Sequence, residues 1–260
     1  MNTSTTRAAY RALRADPVMA GLIAAAGRYR VELLPDHPPF ESLARAIAHQ
    51  QLHGAAAASI LARFIAACGS GGFPTPQQVL DASDAQLRAT GFSYAKIAAL
   101  KDLAAKTISG IVPARAELDT LSDLQIIERL SAVRGIGRWT VEMMLMFQLQ
   151  RPDVLPVDDF GVRNGFRLAY RLRAMPRPRA LAQFGERWQP YRSLAAWYLW
   201  RANDLARRKL LPHGGRPPRI ALQPARKPAA RKSAHGKKSP RTTNAARLTV
   251  RKALPRRARR

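Results

Sequence analysis

The chain has 260 residues, of which 44 are Lys or Arg and 17 are Asp or Glu, so its formal net charge is +27. Apolar residues make up 47% of the sequence, which suits a globular protein, whereas a charge of this size indicates a polyanion such as a nucleic acid as partner. A single cysteine, Cys68, excludes an intrachain disulfide, a four-cysteine iron–sulfur cluster and the usual structural zinc site.

Apolar residues recur at helical spacing along most of the chain, and Ser, Asp, Gly or Pro mark the ends of the segments. Helices are predicted over residues 5–27 with a break at Pro17, 40–68, 76–82, 84–90, 93–109, 119–130, 137–149, after Asp159, and over 180–207 with a break at Pro190. Either Ser83 or Asp84 suits the N-cap of the helix at 84–90. No stretch shows the two-residue alternation of a strand. The sequence therefore predicts an all-α protein of about ten helices with an ordered domain over residues 1–211.

The last segment, residues 212–260, differs in composition from the rest. It contains sixteen Lys or Arg and no Asp or Glu, which leaves +11 of the charge for residues 1–211. Because it has few large apolar residues and many like charges, we expect it to be disordered when free. We predict that this tail adds salt-dependent, sequence-independent affinity for duplex DNA, although a purely solubilising extension would have the same composition.

A glycine-containing turn lies between the helices predicted at 119–130 and 137–149. Its sequence, Val133 to Thr140, is VRGIGRWT. Glycines one residue apart allow a tight turn whose free amides, with those of the following helix, can bind a phosphate. We therefore predict DNA contacts from Arg134, Gly135, Ile136, Gly137, Arg138 and Thr140. The alternative is an ordinary corner between helices in which glycine serves only as a C-cap.

Two adjacent carboxylates, Asp158 and Asp159, follow this turn by about twenty residues and precede another predicted helix. Both suit the N-terminus of a helix, where an aspartate is also common as a simple N-cap. Together with the basic turn, they favour a protein that holds DNA and carries out chemistry on it.

The motifs ESLARAIAHQQL, FPTPQQVLDASDAQLRATGFSYAKIAAL, GIGRWT, DVLPVDD and FGERWQPYRSLAAWYLW occur in this order between Phe40 and Leu205. In this order they resemble the HhH-GPD superfamily of DNA glycosylases, and in particular the alkyl-base glycosylases of the bacterial 3-methyladenine DNA glycosylase II (AlkA) type. The resemblance implies a two-lobed all-α fold with the active cleft between the lobes. It also implies hydrolytic removal of alkylated purines, of the 3-methyladenine and 7-methylguanine type, from duplex DNA. Since only about 39 residues precede Phe40, we expect the extra N-terminal α/β domain of many bacterial members to be absent.

The resemblance also bears on the catalytic residue. Alignment to the AlkA pattern favours Asp159 as the carboxylate that stabilises the oxocarbenium-like sugar, whereas the spacing in the endonuclease III branch would favour Asp158. Members that also nick the strand carry a lysine nucleophile just after the hairpin, where this chain has Trp139. We therefore expect a monofunctional enzyme that leaves an abasic site.

The same comparison suggests a base pocket and a wedge. Trp139 and Trp200 match pocket aromatics of the AlkA type, while Met143 and Arg201 stand where that pocket has tyrosines. Trp139 and Met143 could equally be core residues of a helix. A flipped base leaves a gap in the duplex. Gln51 or Leu52 is the predicted wedge that fills it, with His53 reaching the DNA groove or backbone.

The predicted partner is double-stranded DNA containing alkylated bases, and no cofactor, metal or membrane is expected. We expect a monomer that is cytoplasmic and associated with the nucleoid, because no segment resembles a signal peptide or a transmembrane helix. The alternatives are a non-catalytic helix-hairpin-helix DNA-binding protein and a sibling glycosylase for deaminated bases.

Overall fold

A computed structural model describes residues 3–30 and 34–212, and every regular element in these ranges is helical. This confirms the predicted all-α class. The α-helices are α1 Thr3–Leu13, α2 Pro17–Ala26, α3 Pro39–His49, α4 Gly54–Cys68, α5 Pro76–Asp81, α6 Asp84–Ala89, α7 Tyr94–Ile108, α8 Arg115–Thr120, α9 Asp123–Ser131, α10 Arg138–Phe147, α11 Phe160–Ala169, α12 Pro178–Gly185 and α13 Arg192–Arg207, with a short 3-10 helix at Glu186–Trp188.

Several helix ends follow the local sequence signals. Pro17 begins α2, and Ser93 caps α7 by accepting a hydrogen bond from the Lys96 amide. Of the two candidate caps for α6, Ser83 is the N-cap and forms a capping box with Gln86. The break near Pro190 is also present, since α13 starts only at Arg192. These ends depend on neighbouring residues, which is why the sequence predicts them.

The prediction of one helix over residues 40–68 was wrong, because the chain forms α3 and α4 with a loop at residues 50–53 between them. Gln51 in that loop has φ 58°, a left-handed conformation that ends a helix. The segment predicted at 119–130 is likewise divided, since Leu121 is extended and Ser122 caps α9. In both places the residues have high helix propensity, so the sequence pattern does not reveal a break of a few residues between two helices.

The helices pack in two groups that share one apolar core. In the first group, α3 packs on α4 and α7, and α7 also packs on α5 and α6. In the second, α13 packs on α2 and α11. Two groups of helices agree with the two-lobed fold that the sequence implies. The pair α9 and α10 carries the glycine turn.

The contact between α11 and α13 is close because of Gly165. A Cβ atom at this position would lie 1.8 Å from the carbonyl oxygen of Leu199, so no larger residue fits. Since α11 begins next to Asp159 and α13 carries Trp200, this contact sets the distance between two of the predicted site residues.

Apart from Pro212, the predicted tail lies outside the described residues, so its disorder and DNA binding stay predictions. Within the described ranges, no helix is both long and apolar enough to span a membrane.

Candidate active site

Asp159 lies at the centre of a hydrogen-bond network that joins three helices. It is the N-cap of α11, and its Oδ1 accepts a hydrogen bond from the Val162 amide at 2.7 Å. The indole N–H of Trp139 donates to Oδ2 at 2.8 Å, and the indole N–H of Trp200 donates to Oδ1 at 2.8 Å. Three donors therefore fix the orientation of this carboxylate. A simple N-cap needs only the first of them.

Asp158 has a different environment, although it is the adjacent residue. Its side chain is exposed and makes no hydrogen bond or ion pair within the described part of the chain. The structure thus distinguishes two carboxylates that the sequence left as alternatives, and Asp159 is the one held among the predicted pocket residues.

A glycine in the first turn of α11 permits this arrangement. A Cβ at Gly161 would lie 2.7 Å from Cδ1 of Trp200 and 3.1 Å from Oδ1 of Asp159. Because nothing else fits between the helix and the indole, Gly161 lets Trp200 reach the carboxylate. Sequence reasoning missed this residue, and only its place two residues after Asp159 could have suggested it.

An open cleft of about 420 Å³ lies beside Asp159. It contains all three predicted pocket residues, Trp139, Met143 and Trp200. Phe147 stacks against Trp200 with ring centroids 5.9 Å apart. The sequence analysis did not identify the other residues that line this cleft, which are Arg30, Phe147 and Trp197. The cleft therefore combines aromatic walls, one carboxylate and a basic rim.

Exposure settles which of these residues belong to the core. Half of the surface of Trp139 is exposed (50%), so it is not a core residue. Met143 is partly buried and lines the cleft, whereas Met144 on the next position is 5% exposed and packs in the core. The helix α10 thus presents one apolar side to the core and another, with Trp139 and Met143, to the cleft.

The backbone of the glycine turn leaves several amides without a partner among the described residues. Gly135 has φ 78°, which favours glycine, while Gly137 is extended and caps α10. The amides of Gly135, Gly137 and Arg138 donate no hydrogen bond to any described residue. Those amides remain available to a phosphate oxygen.

The side chains of the turn divide into buried and exposed ones. Ile136 is buried (3% exposed), so it can contribute to a DNA contact only through its backbone. Arg134 and Arg138 are exposed, and Thr140 is partly buried in the first turn of α10. The Arg134 amide is already used, because it donates to Asp102 at 2.6 Å.

The predicted wedge residues Gln51, Leu52 and His53 form the exposed loop between α3 and α4. Gln51 lines a second cleft, of about 540 Å³, whose lining also includes Trp139 and Met143. These two residues line the cleft beside Asp159 as well. Leu52 and His53 are not part of that lining.

Glu142 is a buried charged residue that sequence reasoning missed, although a glutamate within the apolar run of α10 was a visible signal. Its side chain is 2% exposed and accepts a hydrogen bond from Nε of Arg138 at 2.8 Å. Burial raises the pKa of Glu142, Arg138 opposes that rise, and the charges of Asp158 and Asp159 add to it. The pair orients one of the two exposed arginines of the turn.

This shift predicts a pH-dependent effect of Glu142→Gln. A carboxyl whose pKa is raised in the folded state favours folding at low pH, and that contribution is lost as pH rises above the unfolded value of about 4.3. Glutamine cannot ionise, so the melting temperature of the variant should rise relative to that of the wild type as pH increases from about 4 to about 7. Thermal unfolding at several pH values measures this.

The matched control is Glu128→Gln, which changes an exposed carboxylate on α9. A difference in melting temperature between Glu142→Gln and wild type that stays constant with pH would contradict the prediction.

The described residues contain no group of three or more His, Cys, Asp or Glu side chains that could hold a metal ion.

Comparison with known proteins identifies the family. Residues 44–190 match the model of the HhH-GPD superfamily base excision DNA repair proteins. The chain is also 43% identical over 205 residues to DNA-3-methyladenine glycosylase 1 of Schizosaccharomyces pombe, which covers 78% of this chain and 90% of the relative. The chain belongs to this superfamily of base excision DNA repair proteins.

Solved structures of superfamily members have the same fold. The structure of the S. pombe 3-methyladenine DNA glycosylase in complex with abasic DNA has a TM-score of 0.66 and 43% identity, covering 76% of this chain and 97% of that one. A DNA-3-methyladenine glycosidase from Bacillus halodurans has a TM-score of 0.68 and 34% identity, covering 75% and 89%. The HhH-GPD fold and the 3-methyladenine glycosylase branch inferred from the motifs are therefore confirmed.

Proposed function

We propose that this HhH-GPD protein is a monofunctional DNA glycosylase that flips alkylated purines out of duplex DNA and hydrolyses their N-glycosidic bond. The observation that carries the proposal is the Asp159 carboxylate, fixed by two indole N–H groups and a backbone amide beside an aromatic cleft. A protein that only binds DNA has no use for a carboxylate held in this way. The relatives named as 3-methyladenine glycosylases support the same substrate class.

The role of Asp159 follows from the charge that develops in the reaction. As the base departs, C1′ of the deoxyribose becomes positive, and a carboxylate held in place stabilises that charge without reorganising. Oδ1 already accepts two hydrogen bonds, whereas among the described residues Oδ2 accepts only the one from Trp139. The second lone pair of Oδ2 can therefore orient or deprotonate the attacking water.

The nucleophile is water because Trp139 holds the position at which an imine-forming amine would be needed. The strand-nicking members carry their lysine there, and none of the described residues that line the cleft beside Asp159 is a lysine. Trp139 instead donates its N–H to the carboxylate. The expected product is an intact strand with an abasic site.

Aromatic walls and a basic rim affect the choice of base in opposite directions. Trp200 and Trp139 present electron-rich faces that favour cationic alkylated purines. Arg30 and Arg201 also line this cleft, and their positive charges disfavour a cationic base. Asp204, at 3.1 Å from Arg201, neutralises part of that charge. The basic rim is the observation that keeps a neutral deaminated purine as the second candidate substrate.

The test compares duplexes that contain 7-methylguanine, which is cationic, with duplexes that contain hypoxanthine, which is neutral. Free base is measured by chromatography, and strand cleavage is measured with and without hot alkali. We expect release of the methylated base and cleavage only after alkali. Preferential release of hypoxanthine would support the second candidate. Cleavage without alkali, or trapping of the protein on DNA by borohydride, would contradict the hydrolytic mechanism.

A further inference from the structure

Helix α7 contacts both DNA-facing segments, the glycine turn and the loop at residues 50–53. Four of its residues lie on one face at helical spacing, and all four meet these segments: Lys96, Ala99, Asp102 and Lys106. The sequence analysis assigned no role to any of these four residues, and the proposed chemistry does not use them.

At one end of this face, Lys96 holds the C-terminus of α3. Its ammonium group donates to the carbonyl oxygens of Ala48 and Gln50, each at 2.8 Å. Carbonyls at the end of a helix have no partner within the helix, so Lys96 satisfies groups that would otherwise need water. Desolvation in this position lowers the pKa of Lys96. Gln51, which follows Gln50 in the chain, has a left-handed backbone conformation. For a residue other than glycine this conformation is unfavourable unless the neighbouring residues hold it in place.

At the other end, Asp102 and Lys106 hold the glycine turn. Asp102 accepts the Arg134 amide at 2.6 Å, and Lys106 donates to the carbonyl oxygen of Ala132 at 2.6 Å and to Asp102 itself. Burial would raise the pKa of Asp102, but the bonds from the Arg134 amide and Lys106 outweigh it and lower the pKa. The turn is therefore attached to α7 on both sides of Val133.

Gln50 connects the two segments directly. Its side-chain amide donates to the carbonyl oxygen of Gly135 at 2.8 Å, across 85 positions of the chain, while its own carbonyl accepts from Lys96. Gly135 is the left-handed residue of the turn, and Gln50 immediately precedes Gln51. One side chain therefore joins the glycine turn to the residue that precedes the predicted wedge.

We infer that Gln50 and Lys96 are positioning residues that fix the wedge at Gln51 and Leu52 relative to the phosphate bound by the glycine turn. Unstacking a base is unfavourable, and binding a phosphate can drive it only if the wedge is held at a set distance from that phosphate. Without the connection, the turn still binds the backbone, but the wedge loop takes several positions. The inference rests on the proposed base flipping.

The test separates backbone binding from wedge insertion. Gln50→Leu removes the donor to Gly135, and Lys96→Met removes the ammonium group, while Lys101→Met is a control on the same helix that loses only an ion pair with Asp84 at 2.6 Å. The probe is a duplex with a tetrahydrofuran abasic analogue opposite 2-aminopurine, whose fluorescence reports unstacking. Anisotropy with an undamaged duplex measures the affinity of the whole protein for the DNA backbone.

We expect both variants to lower the equilibrium constant for wedge insertion, obtained from the fluorescence change at saturating protein, by about fivefold to tenfold, because each loses one or two hydrogen bonds of the connection. Their affinity for the undamaged duplex should stay within about twofold of wild type, as should both readouts of Lys101→Met. The inference is overturned if the fluorescence change is unaffected, if backbone affinity falls equally, or if Lys101→Met has the same effect. If Lys96→Met does not fold, Gln50→Leu gives the answer alone.

The abasic analogue contains no base to excise, so this result does not depend on glycosylase activity. Failure of wild type to release a methylated base would contradict the proposed function. A normal fluorescence change in Gln50→Leu would contradict only the positioning role.

Discussion

Asp159→Asn is expected to lower the single-turnover rate of base release by about a hundredfold or more, since the charge opposite the developing oxocarbenium ion is lost. Asparagine is as good an N-cap as aspartate, so the bond to the Val162 amide can be kept. Only one of its two side-chain atoms accepts hydrogen bonds, so one indole contact is lost at a cost of about 1 kcal/mol of folding free energy. Quenched-flow measurement of released base on a methylated duplex gives the rate.

Asp158→Asn is the matched control, because it makes the same chemical change one residue earlier at an exposed side chain without hydrogen bonds in the described structure. Its rate should remain within about threefold of wild type, as expected for loss of a solvent-screened charge. Binding of both variants to a duplex with an abasic analogue should match the wild type. If the two variants lose the same fraction of the single-turnover rate, or if Asp159→Asn keeps full activity, Asp159 is not the catalytic carboxylate.

Gly165→Ala is expected to reduce the free energy of unfolding by about 3 kcal/mol or more, because its Cβ would overlap backbone rather than a movable side chain. The Cβ would lie 1.8 Å from the carbonyl oxygen and 2.6 Å from the carbonyl carbon of Leu199. Helices α11 and α13 must separate to accommodate it. Since Asp159 caps one helix and Trp200 lies on the other, the hydrogen bond between them should weaken as well. Urea denaturation measures the stability.

Gly21→Ala provides the control, because it places the same methyl group in the interior of another helix, α2. There the nearest atoms belong to the Pro212 side chain at 3.5 Å, an ordinary van der Waals contact. Alanine should therefore stabilise the protein by about 0.5 to 1 kcal/mol through its better helix propensity. If both variants change the urea midpoint in the same direction, the close contact of α11 and α13 does not control stability.

Much of the fold was predictable because its signals are local. A serine three residues before a glutamine marks the start of α6. At position 135 the preference for glycine depends only on the backbone angles of that residue itself. The glycine turn and the aspartate pair are short motifs, so the candidate site could be located from the sequence. The break between α3 and α4 could not, because the residue that holds the end of α3 is Lys96, on another helix.

Part of the basic rim of the cleft was missed for a similar reason. Arg30 lies before α3, and nothing in its neighbouring sequence links it to Asp159, whereas Arg201 in α13 was placed at the pocket by the family resemblance alone. Glu142 was missed although a charged residue within an apolar helix is visible in the sequence. Its role depends on its burial and on its ion pair with Arg138, and the structure is needed to show both.

The sequence by itself determined the helical class, the position of the glycine turn and the presence of a carboxylate after it, because each depends on residues within one or two turns of chain. The difference in environment between Asp158 and Asp159 is a property of the tertiary structure. Both can begin a helix, but only Asp159 receives the indole N–H groups of Trp139 and Trp200, which are 20 and 41 positions away along the chain. Hydrogen bonds between side chains depend on distance in space, and the packing of α10, α11 and α13 sets that distance.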